Sequence, residues 1–557
     1  MRKGIIFFIV LMALPIAAQS SFDDFKKQQN AKFEKFKSDK QAEYDAFRKR
    51  VNEEYAEFMR QKWESVPENE ADEPIEEKTL PPVVYEGPKP QPQPQPQPKP
   101  KDEVKPEPQP QPQPQPKPKE EVKPEPQPQP EPQPQPEPEE EKPLPREEID
   151  RLNAPKPTIN TKPVEIAVKP RIVVVPKPQP TPEPIAPVEP KEEPYKKVTV
   201  SYFGTLITIG FPLKDDLKLP ALNENAIVDA WKKMSDSRYD ITVKTALDAR
   251  KNNNLCDWAY MNLLRDVTEK QYGKTNEAVL AQAFLMVQSG YRIRMGMSDT
   301  KLYMLVASQY DIFNLRYYKL DGVKYYNVAG DRPAQMFMTK AKWDKEKSLS
   351  LQMTKLPKLS NEPTAKRTLT SKKGVTSAVS VNKNLIDFFN TYPQACFNGD
   401  QTTRWAAFAN TPVEKNVKEQ LYPPLKKTIS GMSEKDAVTI LLNWVQTAFV
   451  YGYDDQIWGG DRAFFAQETL FYPYCDCEDR SILFSRLVRD LVGLDVVLLY
   501  YPGHLATAVC FNEDVQGDWL TCNGKKYIVC DPTYIGAGVG KTMPKMNNQQ
   551  AQIIALQ

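Results

Sequence analysis

Residues 89–100 read "KPQPQPQPQPKP", and the same alternation of proline with Gln, Lys and Glu runs on for about 56 residues. Proline at every second position fixes φ and removes amide donors, so this stretch can enter neither a helix nor a sheet. Of the 54 prolines in the chain, 38 lie between Pro81 and Pro194, and Val104 and Val122 mark an 18-residue repeat among them. Residues 67–194 are therefore expected to form a disordered spacer, polyproline II by default, whose alternating stretch of about 56 residues could reach up to ~170 Å. Folding has to happen in the 363 residues that follow, enough for two ordinary cores. The net charge of +2 gives no reason to expect nucleic acid or a charged membrane surface as partner.

The chain opens with "MRKGIIFFIVLMALPIAAQS". A basic start, an apolar run from Ile5 to Leu14 and a small-residue exit at Ala17-Ala18 have the form of a signal peptide over residues 1–19. An exported protein is expected, periplasmic or secreted, with the leader cleaved. Export permits disulfides. The seven cysteines are odd in number, so at least one thiol is expected to stay free or to pair with another chain.

Residues 20–66 carry an eleven-residue aromatic repeat. Phe22, Phe33, Tyr44 and Tyr55 form one series, and Phe25, Phe36, Phe47 and Phe58 another. Eleven residues make three helical turns at about 3.67 residues per turn, so both series stay on one face. An amphipathic helix of about 45 residues, roughly 65 Å, is expected. Its stripe needs a partner, whether its own globular domain, a second copy or another protein.

From Tyr195 the composition becomes globular. An α+β domain is expected over 195–340, a β-rich segment over 341–410 and a last domain over 411–557. The last contains the only histidine, His504, and five of the seven cysteines. In "YPYCDCEDRSILFSRLVRDLVGLDVVLLYY" the apolar residues keep helical spacing and Gly493 closes the run. Asp476 is a natural N-cap, with Glu478 and Asp479 in the first turn. Cys477 then sits where free N–H groups favour a thiolate, although the neighbouring acids oppose one. Next come a strand, a Pro502-Gly503 turn and "HLATAVCF", a hairpin with His504 opening the return strand. "KKYIVCDPTY" ends a further strand at Asp531. Thiol, imidazole and carboxylate together are the set that cysteine acyl transfer uses.

The ordered run "CEDRSILFSRLVRDLVGL", "GHLATAV" and "YIVCDPTY" resembles the transglutaminase-like superfamily over residues 425–540 or so. That resemblance implies a papain-like core, with the catalytic roles on Cys477, His504 and Asp531. It implies acyl transfer at amide bonds of a protein or peptide in a bacterial envelope: peptide hydrolysis, or crosslinking where an amine accepts. The Cys477 N–H can serve as one oxyanion donor, with Gln467 as the candidate second and Asp479 in support. Asp476 stands where the family often has glycine, and the aromatic or amide side chain that completes the family's oxyanion hole has no obvious counterpart beyond Gln467, with Trp458 and Tyr474 behind it. No cofactor is expected, and no metal, since no acidic calcium-loop motif is present. The competing expectation is a non-catalytic envelope scaffold that binds a partner. A weaker internal likeness links residues 270–330 to 470–530, with Asn276 and Lys301 at the positions of Cys477 and His504, as in an inactive duplicate.

Overall fold

The computed structural model describes residues 5–74, 79–85, 171–185, 194–343 and 345–557. The chain divides into one unit of Met1–Val83 with Thr158–Gln557 and another of Val84–Pro157. Nearly all of the second, including the 18-residue proline repeat, lies outside the described residues. The first unit is α+β, with mainly antiparallel sheets. Among the described residues no helix is long and apolar enough to cross a membrane.

The N-terminal helix spans Ile5–Arg60 and ends earlier than its composition suggests. At Trp63 the chain becomes an edge strand, Trp63–Val66, paired antiparallel with Met336–Thr339. Trp63 is buried there, and its indole N–H donates to the Met59 carbonyl at 2.8 Å. Burying the indole and gaining a sheet ladder outweigh the helix propensity of the last few residues. The aromatic stripe divides along the helix. Tyr55 is 1% exposed, stacked on Trp231 at 4.8 Å and edge-on to Trp343 at 5.3 Å. Phe58 is buried beneath the Arg294 guanidinium. Phe25, Phe33, Phe36 and Phe47 are exposed, Phe33 at 64%. The side chains of Phe22 and Tyr44 lie outside the described residues.

The proline-rich spacer is shorter than residues 67–194. Glu68–Asn69 forms an edge strand and Arg171–Val173 another, each added to a different sheet. These flanks escape the strict proline alternation, so they keep the amides a ladder needs. The segment 341–410 is less β-rich than its sequence suggests. It holds one hairpin, Arg367–Thr370 with Thr376–Val379, and two helices, Lys383–Phe389 and Arg404–Asn410.

Two large sheets organise the unit. Number the five central strands of each by sequence: Ile293–Ser298, Lys301–Ala307, Tyr317–Leu320, Val323–Asn327 and Met336–Thr339 in one; Asp495–Tyr501, His504–Cys510, Trp519–Cys522, Lys525–Cys530 and Gln552–Ala555 in the other. Both sheets run in the order 3-4-2-1-5, antiparallel throughout. In each, a helix enters directly before the first strand and packs on the second, Asn276–Gln288 in one and Cys477–Leu491 in the other. A single buried apolar cluster runs through both halves, from Tyr55 to Ile554.

Candidate active site

The Cys477–Leu491 helix begins as its sequence suggests. Asp476 is the N-cap, its carboxylate accepting the Glu478 N–H at 3.2 Å. Asp479 returns a bond to the Asp476 N–H at 3.2 Å, completing a capping box. The other Asp479 oxygen accepts the Phe464 N–H at 2.9 Å. Asp479 therefore joins the helix start to the preceding loop. Gly493 adopts φ +81° just beyond the helix, a conformation that residues with a Cβ rarely take. On the next turn the Ser481 hydroxyl donates to the Leu505 carbonyl at 2.8 Å, stapling the helix to the histidine strand.

The hairpin register pairs Tyr501 with His504, so Pro502-Gly503 is a two-residue turn with Gly503 at φ +73°. Asp531 follows directly on the Lys525–Cys530 strand, which lies beside the histidine strand. His504 Nε2 and Asp531 Oδ2 are 2.8 Å apart in a buried pair. The other Asp531 oxygen accepts the N–H groups of Thr533 at 2.8 Å and Tyr534 at 3.2 Å. With one oxygen held by backbone, the other is fixed on the imidazole. His504 Nδ1 is buried without a hydrogen-bond partner.

Cys477 and His504 line the same pocket, which encloses about 520 Å³ of empty space, part of it open to solvent. Each is only 2% exposed. The sulfur lies 3.4 Å from Glu478 Oε2. Burial pushes the Cys477 thiol well above its ordinary value, and Asp476 and Glu478 push it further. In this closed arrangement the cysteine is a neutral thiol: burial and the acids outweigh the helix terminus.

The remaining lining residues are largely ones that the sequence left unmarked: Thr79, Gln401, Thr402, Arg404, Trp405, Asp461 and Tyr500 among them. Trp405 is buried, its ring 5.4 Å from that of Tyr500, and its indole N–H has no partner. Gln467, the expected second oxyanion donor, is not among the residues lining the pocket. It sits buried on the Ala466–Phe471 helix, where its amide oxygen accepts the Glu414 N–H at 2.5 Å. That helix packs on the Cys477–Leu491 helix, so nearness in sequence brings Gln467 into the core instead of the cleft. Another unmarked residue is Gln446. Its amide nitrogen reaches the carbonyls of Asp531 at 3.0 Å, Tyr534 at 2.8 Å and Ala537 at 3.0 Å, clamping the loop that carries the carboxylate.

Five buried or half-buried carboxylates surround the helix start: Asp454, Asp461, Asp476, Glu478 and Asp479. They fall into overlapping groups with oxygens within 4.8 Å of one another, and these are the side chains that could hold a divalent cation. They are not contiguous in sequence, so a search for a single acidic loop does not find them. All seven cysteines carry free thiols, Cys475 being buried beside Cys477 with its sulfur 3.7 Å from the Val450 carbonyl. No family model, curated protein or solved structure matches this chain.

Proposed function

We propose that the protein is an exported cysteine enzyme of transglutaminase-like, papain-like type that transfers the acyl group of an amide bond, with water as the usual acceptor. The observation that carries this reading is that Cys477 and His504 line one pocket, with the imidazole tied through Nε2 to the buried Asp531 carboxylate behind it and its Nδ1 left without a partner. Attack by the Cys477 sulfur on an amide carbonyl requires a base for the thiol proton, and Nδ1 is the nitrogen available for it. The same proton then goes to the departing amine as the C–N bond breaks, leaving a thioester that water hydrolyses. Asp531 holds the tautomer with hydrogen on Nε2 and stabilises the imidazolium. The Cys477 N–H at the helix start and the Trp405 indole N–H are the candidate oxyanion donors. Trp405 replaces Gln467 in that role.

The raised, buried thiol favours a second reading, a non-catalytic envelope protein that binds a partner through the same domain. Cleavage of a peptide library, read by mass spectrometry, separates the two. The enzyme is expected to cleave, and Cys477→Ser or His504→Ala to abolish the cleavage. Fragments that persist in both variants would remove the catalytic reading.

The first sheet fits an inactive copy of the same unit. At the start of its helix, Asn276 Oδ1 accepts the Leu302 N–H at 2.9 Å, the residue after Lys301. The Leu505 N–H, one residue after His504, is the backbone group that opposes the rise of the Cys477 thiol. Lys301 meets Asp331 at 2.8 Å, where His504 meets Asp531 at the same distance. An amide and an ammonium replace thiol and imidazole, so neither a nucleophile nor a base remains there.

A further inference from the structure

The chain leaves the first sheet after Asp72, whose carbonyl accepts the Asn314 N–H at 2.9 Å, and returns at Thr79 on the opposite sheet's cleft. Thr79 forms part of the wall around Cys477 and His504. The Leu80 N–H donates to the Gly503 carbonyl at 3.0 Å, one residue before the histidine. The Leu80 carbonyl accepts the Tyr451 hydroxyl at 3.2 Å. Tyr451 lies close to the nucleophile, since burial and then the nearby Cys477 and Asp476 push its phenol up. Pro82 is buried, and the strand that starts at Val83 pairs with Tyr534–Ile535, just past Asp531. Residues 79–83 thus run extended from the histidine turn to the aspartate loop, making backbone hydrogen bonds at both ends.

A segment held this way has the form of an extended polypeptide seated in a binding groove. Its sequence, Thr-Leu-Pro-Pro-Val, also resists cleavage in place. The amides on either side of Pro81 are tertiary, with no N–H to pair with the groove and a ring on the departing nitrogen. We propose that residues 79–83 occupy the substrate groove of this centre as a built-in competitor. The substrate is then an extended polypeptide whose backbone takes over the bonds to the Gly503 carbonyl and the Tyr451 hydroxyl. This rests on the reading of the site as acting on amides, but the groove and its occupant are testable without turnover.

The experiment uses the full chain with residues 79–83 replaced by a Gly-Ser run of equal length, and separately Leu80→Pro, which removes the donated N–H. Far-UV circular dichroism and Tm identify folded protein, and the milder single variant serves if the replacement does not fold. Two readouts are taken: the rate of iodoacetamide labelling at Cys477, and binding of a fluorescent peptide spanning Thr79–Tyr85. Freeing the groove is expected to speed labelling about tenfold, the factor that one or two backbone hydrogen bonds supply. The peptide is expected to bind the altered protein and not the native one. Folded variants that label at the native rate and bind no peptide would overturn the proposal. Variants that label fast and bind peptide, yet cleave nothing in a peptide library, would keep the groove and its occupant while removing the catalytic reading.

Discussion

At the scale of single residues, the account rests on Asp531 holding His504 while the thiol remains neutral in the closed state. Asp531→Ala is expected to lower the cleavage rate by about 10²–10⁴-fold with little change in Km, because the carboxylate orients the base and does not bind substrate. A fall in Km affinity with unchanged turnover would assign Asp531 to binding. Gln446→Ala acts one step further out, through the Asp531 loop. It is expected to reduce turnover by less than Asp531→Ala does, and Gln446→Glu not to restore it, because the three carbonyls need a donor. Elsewhere in the core two carboxyls stand out. Burial raises Glu468 to about 7 against the opposing Arg462, and raises Asp240 to about 6 against Arg48. Both fall above their values in the unfolded chain, so the native state binds more protons between about pH 4 and 7, and stability falls as pH rises through that window. Tm is expected to drop from pH 5 to pH 7.5, and to drop less in Glu468→Gln. A Tm that rises over this range would contradict the raised values.

At the scale of elements, what was legible in the sequence is what local spacing controls. The Cys477–Leu491 helix, its Asp476 cap, its Gly493 stop and the Pro502-Gly503 hairpin each depend on residues within a few positions of one another. Those features alone fix Cys477 and His504 on facing elements. The rest of the pocket was not legible because it comes from far along the chain. Thr79, Gln401, Arg404 and Trp405 reach the site through packing, and no periodicity marks them. Gln467 shows the converse, a residue close in sequence that turns into the core. The aromatic helix divides the same way. Its repeat is uniform, but only the end near Tyr55 and Phe58 has a domain to pack on. Tyr55→Ala is therefore expected to cost about 3–5 kcal/mol in denaturant unfolding, and Phe33→Ala less than about 0.5 kcal/mol. Equal effects at both positions would mean that the exposed end is covered in solution, by a second copy or another partner.

At the scale of the whole molecule, two sheets with one strand order share a continuous core, and in the second of them the helix start and the return strand carry Cys477 and His504. The N-terminal chain contributes both edge strands to one sheet and a backbone-bonded segment to the cleft of the other before entering the proline-rich stretch. The central claim is that Cys477 and His504 act as a pair once the groove is open. Its most direct test is the rate of Cys477 alkylation between pH 5 and 8 in protein with residues 79–83 replaced, compared with the same protein carrying His504→Ala. The account predicts labelling at pH 7 faster than that of a free cysteine, slowed at least about tenfold when the imidazole is removed. Identical slow labelling in both proteins would contradict it.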